Sequence, residues 1–233
     1  MRQFANNRRI GIVIFLFIIS VIWYFFPLGK EIIFRNIFAM RLALPAAILA
    51  IGGIGLLPCL ISMGFVSCTI GDALGVAGSF EGQIGGFAVA QICFILDFVK
   101  DIRQNIKEDS QKKRVAIRNG GAIATILCLF PLLFAGYNIF PNVYPLVIRI
   151  GCVVYSLLLL GSVWTSIVRA CVIRRYVAMA GCVIFLVSDF TIAWNKFSEH
   201  IPNSGLYIMT TYYAALILIF LGTKTVSFTK CKD

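Results

Sequence analysis

Long apolar runs recur along almost the whole chain, and they limit its folding more than any other feature. A helix needs about 20 mainly apolar residues to cross a bilayer. Runs of that kind occupy about 10–26, 32–53, 55–76, 83–99, 120–136, 143–164, 176–194 and 206–225. Eight such spans leave only loops in a chain of 233 residues. The pattern predicts an all-α membrane protein, one bundle of eight transmembrane helices forming a single domain over residues 1–233. The Gly52, Gly53, Gly55 and Pro58 stretch marks the weakest break, between spans two and three, whereas Pro141-Asn142 and Pro202-Asn203 mark clear turns. The first run has the basic start of a signal peptide. It lacks a small-residue cleavage site and is long for such a segment, so it reads as a retained span.

Composition agrees. Hydrophobic residues make up 60% of the chain and charged residues 13%, against about 25% charged in ordinary soluble domains. Too little polar sequence remains to coat a soluble enzyme or a nucleic-acid-binding domain, despite a net charge of +11. The charge is topological. Arg2, Arg8 and Arg9, the stretch from Lys100 to Arg118, then Arg169, Arg174 and Arg175, and finally Lys224, Lys230 and Lys232 fall on one side of the predicted bundle. The positive-inside rule makes that side cytoplasmic and puts both termini there. The bilayer, with its anionic headgroups, is the partner these residues meet. Six of the eight cysteines lie within spans, Cys171 and Cys231 lie on the basic side, and no C-x-x-C occurs. They read as small apolar residues kept reduced.

Ionisable residues inside spans are costly, and each is a candidate functional residue. Asp72 in span three and Asp189 in span seven lie at one depth, about 6–8 Å below the outer boundary by helical rise. Arg41, Arg149, Ser188, Asn195, Thr210, Thr211, Tyr212 and Tyr213 reach the same layer, Lys196 caps it, and Gln91 lies near mid-span on helix four. The inner half is almost purely apolar apart from Asp97. The pattern suggests a polar cavity in the outer half with an apolar floor. A structural reading fits the same residues equally: Asp72 pairs with Arg41 or Arg149 to hold the bundle, since buried charges must be paired. Gly71-x-x-x-Gly75 and Gly82-x-x-x-Gly86 point to close helix packing, and Trp194 to an interfacial aromatic belt.

The available chemistry is narrow. His200 is the only histidine, which excludes a three-histidine zinc site. No nucleophile elbow, phosphate-binding loop or dinucleotide fingerprint occurs. What remains for an enzyme is carboxylate acid/base work, in which one acid donates a proton and the other activates water.

Three segments resemble a known family. They are Gly71-Asp72-Ala73-Leu74 with Phe80, Gly82 and Phe87; Phe185 to Phe190 followed by Ala193-Trp194-Asn195-Lys196-Phe197; and Thr211-Tyr212-Tyr213-Ala214-Ala215. Their order and placement resemble the YhhN-like lysoplasmalogenases, eight-span membrane proteins. The resemblance implies hydrolysis of the vinyl-ether bond of a lysophospholipid, with Asp72 and Asp189 as the acid pair and no cofactor or metal. Arg41, Arg149 or Lys196 would receive the lipid phosphate, and Gln91, Ser188, Asn195, Tyr212 and Tyr213 would complete the substrate site. The chain departs from the family's "H-x-x-Y" segment, where it reads Gln91 and Phe94, and has Leu216 where a glutamine is frequent. The alternative is a small transporter or lipid-binding membrane protein that uses the same acids. No convincing half-to-half repeat supports a transporter.

Overall fold

The computed structural model describes residues 2–26, 40–106 and 110–224. Eight α-helices run through them: α1 (Arg2–Phe25), α2 (Leu44–Gly52), α3 (Cys59–Val76), α4 (Phe80–Ile106), α5 (Ser110–Asn138), α6 (Leu146–Ile173), α7 (Val177–Phe197) and α8 (Ser204–Thr223). There is no strand among the described residues. Seven helices, all but α2, are long and apolar enough to cross a membrane. Their outward faces carry large apolar side chains, such as Phe130, Ile126 and Val147, which only lipid can cover. The chain is an integral multi-pass membrane protein.

The second predicted span differs. Residues 32–39 of it lie outside the described residues. The described remainder is a short turn of helix, Met40–Leu42, followed by α2. At nine residues, α2 rises only about 14 Å, well short of the roughly 30 Å hydrocarbon core. It is wedged into the core, with Ala46 and Leu49 fully buried, and Gly52 lies where any side chain would meet Val13 of α1. The expected break follows it: Gly55 takes φ +76°, a left-handed conformation that suits glycine, and α3 begins after Pro58.

Helices also run on beyond the apolar runs. The polar stretch from Lys100 is helical on both sides of residues 107–109, because Lys, Arg, Asp and Gln are good or tolerable helix formers once outside the hydrocarbon layer. Helix α6 likewise continues to Ile173. Arg169 therefore does not lie in a basic loop, as the apolar pattern suggests. It is buried and donates from Nε to Asp101 Oδ2 of α4 at 2.7 Å, with its guanidinium over the Phe98 ring. Ser162, Thr165, Ser166 and Thr223 are buried in the same half, so that half is less apolar than expected. The serine and threonine hydroxyls satisfy themselves on carbonyls of their own helices.

Small residues set how closely the helices approach. Helices α3 and α4 pair antiparallel with Gly86 against Gly71; a Cβ on Gly86 would stand 2.6 Å from the Gly71 Cα. Helices α7 and α8 pair the same way, and a Cβ on Gly222 would stand 2.7 Å from the Ala178 Cα. Helix α6 packs on α4, α5 and α7 and joins the two hairpins. The core between them is aromatic, built on Phe65, Phe94, Phe185 and Phe220.

Gly222→Val is expected to lower the apparent midpoint of thermal unfolding in detergent, because overpacking costs about 1–3 kcal/mol. Gly11→Val, where nothing lies within 4 Å, is expected to leave it unchanged. Equal midpoints for the two variants, followed by circular dichroism, would refute the close-packing account.

Candidate functional site

Two acid–tyrosine pairs lie at one end of the bundle, where α3, α6, α7 and α8 converge. Asp72 follows Gly71 on α3, and the close approach allowed by that glycine buries it against the neighbouring helices. It is 2% exposed and accepts a hydrogen bond from the Tyr212 hydroxyl of α8 at 2.8 Å. Asp189 on α7 is 9% exposed and accepts from the Tyr155 hydroxyl of α6. Neither acid forms an ion pair among the described residues. Cys68 lies one turn before Asp72 on α3, and Phe185 one turn before Asp189 on α7. The Phe87, Phe185 and Tyr212 rings meet edge to face beside them.

Asp189 also lines a cavity of about 850 Å³, counting its open mouth, between α4, α5, α6 and α7. Phe80, Ile139, Phe140 and Phe197 surround it at the end of the bundle. Pro131, Leu132, Leu159 and Leu160 line it deeper. Its polar lining is sparse: Gln83, Cys152, Tyr155 and Ser156, with Asp189 its only carboxylate. From Phe197 back to Leu186 on α7 the wall rises about 16 Å. A slot of that shape suits one alkyl chain, with a proton donor on its wall.

The other candidate residues distribute unevenly. Gln91 on α4 is 1% exposed, lies beside the Tyr155 hydroxyl, and its Nε2 has no hydrogen-bond partner. Lys196 stands at the cavity mouth, exposed, with Nζ 3.8 Å from the centroid of the Phe80 ring. Arg149 is not brought to the cavity. It donates to the Val143 and Pro141 carbonyls at 3.1 Å each and lies over Tyr144, holding the α5–α6 turn. Arg41 lies over Tyr24 in the turn before α2. Ser188 donates to the Ile208 carbonyl of α8, and Asn195 accepts from the Ile201 backbone N–H; both hold the α7–α8 hairpin. Tyr213 donates to the Leu42 carbonyl and packs among Phe17, Tyr24 and Phe25. Thr211 bonds to carbonyls of its own helix. Trp194 stacks on Phe134 and Phe190 in the groove between α5 and α7.

Tyr155 escaped the sequence reading. The available signal was a lone tyrosine in the middle of an apolar span, whose hydroxyl must find a partner there. Asp72, by contrast, does not line the cavity, so of the two acids only Asp189 faces the open space.

Comparison with known proteins identifies the family of the chain. The YhhN family profile matches residues 31–223. Human lysoplasmalogenase TMEM86A is 30% identical over 174 residues, which cover 70% of this chain and 64% of that protein. Pig lysoplasmalogenase TMEM86B is 38% identical over 68 residues, 29% of this chain and 28% of the relative. These matches thus span less than two thirds of the length of either relative. No solved structure matches. The family match runs over most of the chain and includes both acids and both tyrosine partners, and the chain belongs to the YhhN family.

Proposed function

We propose that this protein is a membrane hydrolase that cleaves the vinyl-ether bond of lysoplasmalogen-type, single-chain lysophospholipids. The observation that carries the reading is a largely apolar cavity whose one carboxylate, Asp189, is hydrogen-bonded to Tyr155, with the Asp72–Tyr212 pair packed beside it against Phe185 of the same helix. The names of the relatives support the same reaction class.

The chemistry needs little else. The protonated Asp189 carboxyl gives its proton to the alkenyl carbon β to the ether oxygen, leaving an oxocarbenium ion. The nearby carboxylate charge stabilises that cation, and water adds to it. The water's surplus proton returns to the Asp189 carboxylate, which restores the acid, while Asp72, held by Tyr212, acts through its charge. The hemiacetal collapses to a fatty aldehyde and the free glycerol hydroxyl, so one water is consumed and no electrons move. No metal, nucleophile or cofactor enters these steps. Tyr155 is a positioning residue, because its hydroxyl fixes the Asp189 carboxyl. Lys196 lies seven residues, about 10 Å, along α7 from Asp189, a spacing that suits a glycerol unit between the reacting bond and a phosphate. Of the three candidate cations for the phosphate, it is the one at the cavity mouth. Arg9 of α1 donates to the Ile54 carbonyl just past α2, so the chain is back beside the start of α1 before α3 begins; both termini then face the cytoplasm in this reading, and the acid pair lies toward the other side.

Purified protein should release aldehyde from lysoplasmenylethanolamine, and Asp189→Asn and Asp72→Asn should each lower kcat at least about a hundredfold. Absence of turnover across several ether and ester lysolipids would overturn the hydrolase reading. Binding without turnover is the behaviour of a lipid carrier. Turnover that survives both substitutions would remove the acids from the chemistry.

Lys196→Ala should raise KM for the phosphate-bearing substrate about threefold to fivefold, the scale of a partly exposed ion pair, with kcat unchanged. A vinyl ether lacking the phosphate should show no such change; equal effects on both substrates would exclude a phosphate contact. For orientation, a cysteine introduced at Glu199, in a background without native cysteines, should react with an impermeant maleimide in intact cells. One at Arg174 should react only after permeabilisation, and the reverse pattern would invert the topology.

A further inference from the structure

The cavity has a neighbour on the lipid-facing surface. A second, shallower apolar groove runs between α5 and α7, lined by Phe130, Phe134, Val187 and Thr191 together with Pro131, Leu186 and Phe190. The last three also line the cavity that Asp189 faces, so the groove and the cavity lie on two sides of one wall. That wall is side chain, not packed backbone. Helices α5 and α7 each pack on α6; toward the bundle end the Ser198 hydroxyl donates to the Asn138 carbonyl, and at the level of the groove the two helices meet through the Phe134 ring, which contacts Phe190 at 5.7 Å and stacks on Trp194 at 5.6 Å between centroids. Pro131 lies within α5 at this level and removes one backbone hydrogen bond from the helix there.

The outer edge of the groove is open to the membrane, with Phe130 73% exposed and Val187 51% exposed. Its one hydroxyl, that of Thr191, is committed to the Val187 carbonyl at 2.8 Å, so the groove presents no free polar group. Its surroundings are the hydrocarbon layer, and its chemistry fits one class of occupant, the alkyl chain of a single-chain lipid.

We propose that the groove between α5 and α7 is a lateral binding site for the substrate's chain, from which the chain passes beneath the Phe134, Phe190 and Trp194 rings into the cavity. This rests on the lysolipid reading above and adds the route: the lipid arrives sideways from its leaflet. A single-chain lipid then needs to withdraw only its headgroup region along the bundle to bring its alkenyl carbon to Asp189. A second chain would have to pass the same seam, so the route itself selects against diacyl lipids.

The test is photolabelling in liposomes with a saturated, non-hydrolysable ether lysolipid that carries a diazirine on its chain. Labelled peptides are mapped by mass spectrometry, and aldehyde release from the vinyl-ether substrate is assayed separately. Label should concentrate on Phe130, Phe134, Val187 and Phe190. Thr191→Trp, which fills the groove, should lower it about tenfold, the equivalent of roughly two methylene groups of lost contact. Val187→Trp should act in the same direction, whereas Phe15→Trp on the exposed face of α1 should not. Label confined to the mouth residues Phe80, Phe140 and Phe197, label spread evenly over all lipid-facing helices, or no label would each overturn the lateral site. Seam labelling without aldehyde release would leave the lateral site standing and remove the hydrolase reading.

Discussion

A carboxyl group in the hydrocarbon layer must find its hydrogen-bond donor within the protein, because lipid offers none. That requirement organises the site end of this bundle. Asp72 on α3 takes its donor from Tyr212 on α8, and Asp189 on α7 takes its donor from Tyr155 on α6. The first bond ties the α3–α4 hairpin to the α7–α8 hairpin, and the second ties α7 to α6. The pairs therefore fix how the α3–α4 hairpin, the α7–α8 hairpin and α6 sit around one layer. The glycines make this possible: Gly71 and Gly86 let α3 and α4 close up, and Gly181 and Gly222 do the same for α7 and α8. Backbones at that separation bring side chains from four helices within reach.

The opposite half of the bundle answers the same demand with an ion pair. Arg169 and Asp101 neutralise each other between α6 and α4, and the Phe98 ring covers the guanidinium. The site half has no such partner for its acids among the described residues. Its tyrosines donate hydrogen bonds but bring no positive charge. A carboxyl held this way can exchange a proton, whereas one locked to a guanidinium cannot do so without breaking the pair.

Much of this was legible in the sequence, and the failures are instructive. Asp72 and Asp189 stood out because charge in an apolar run is expensive, and their common depth followed from helical rise alone. Tyr212 belonged to the same layer by the same arithmetic. Gly71 and Gly86 read correctly as packing residues. Arg149, Ser188 and Asn195 also lay at the right depth, yet depth says nothing about which way a side chain turns. Arg149 turned to the α5–α6 turn, and Ser188 and Asn195 to the α7–α8 hairpin. Tyr155 was missed because an aromatic residue in an apolar span looks like ordinary core. Arg169 was misread because hydropathy ends a span where the apolar run ends, while the helix continues.

The sequence alone determined that the chain crosses a membrane more than once and that two acids lie within its apolar runs. Those properties depend on composition and on the 1.5 Å rise of a helix, which are local. Tertiary packing decided which donor each acid receives, that Asp189 and not Asp72 faces the cavity, and that α5 and α7 meet through rings rather than backbone. Those outcomes depend on helix rotation and separation, set by contacts between residues as far apart in the chain as Asp72 and Tyr212. No periodicity within a single helix encodes them.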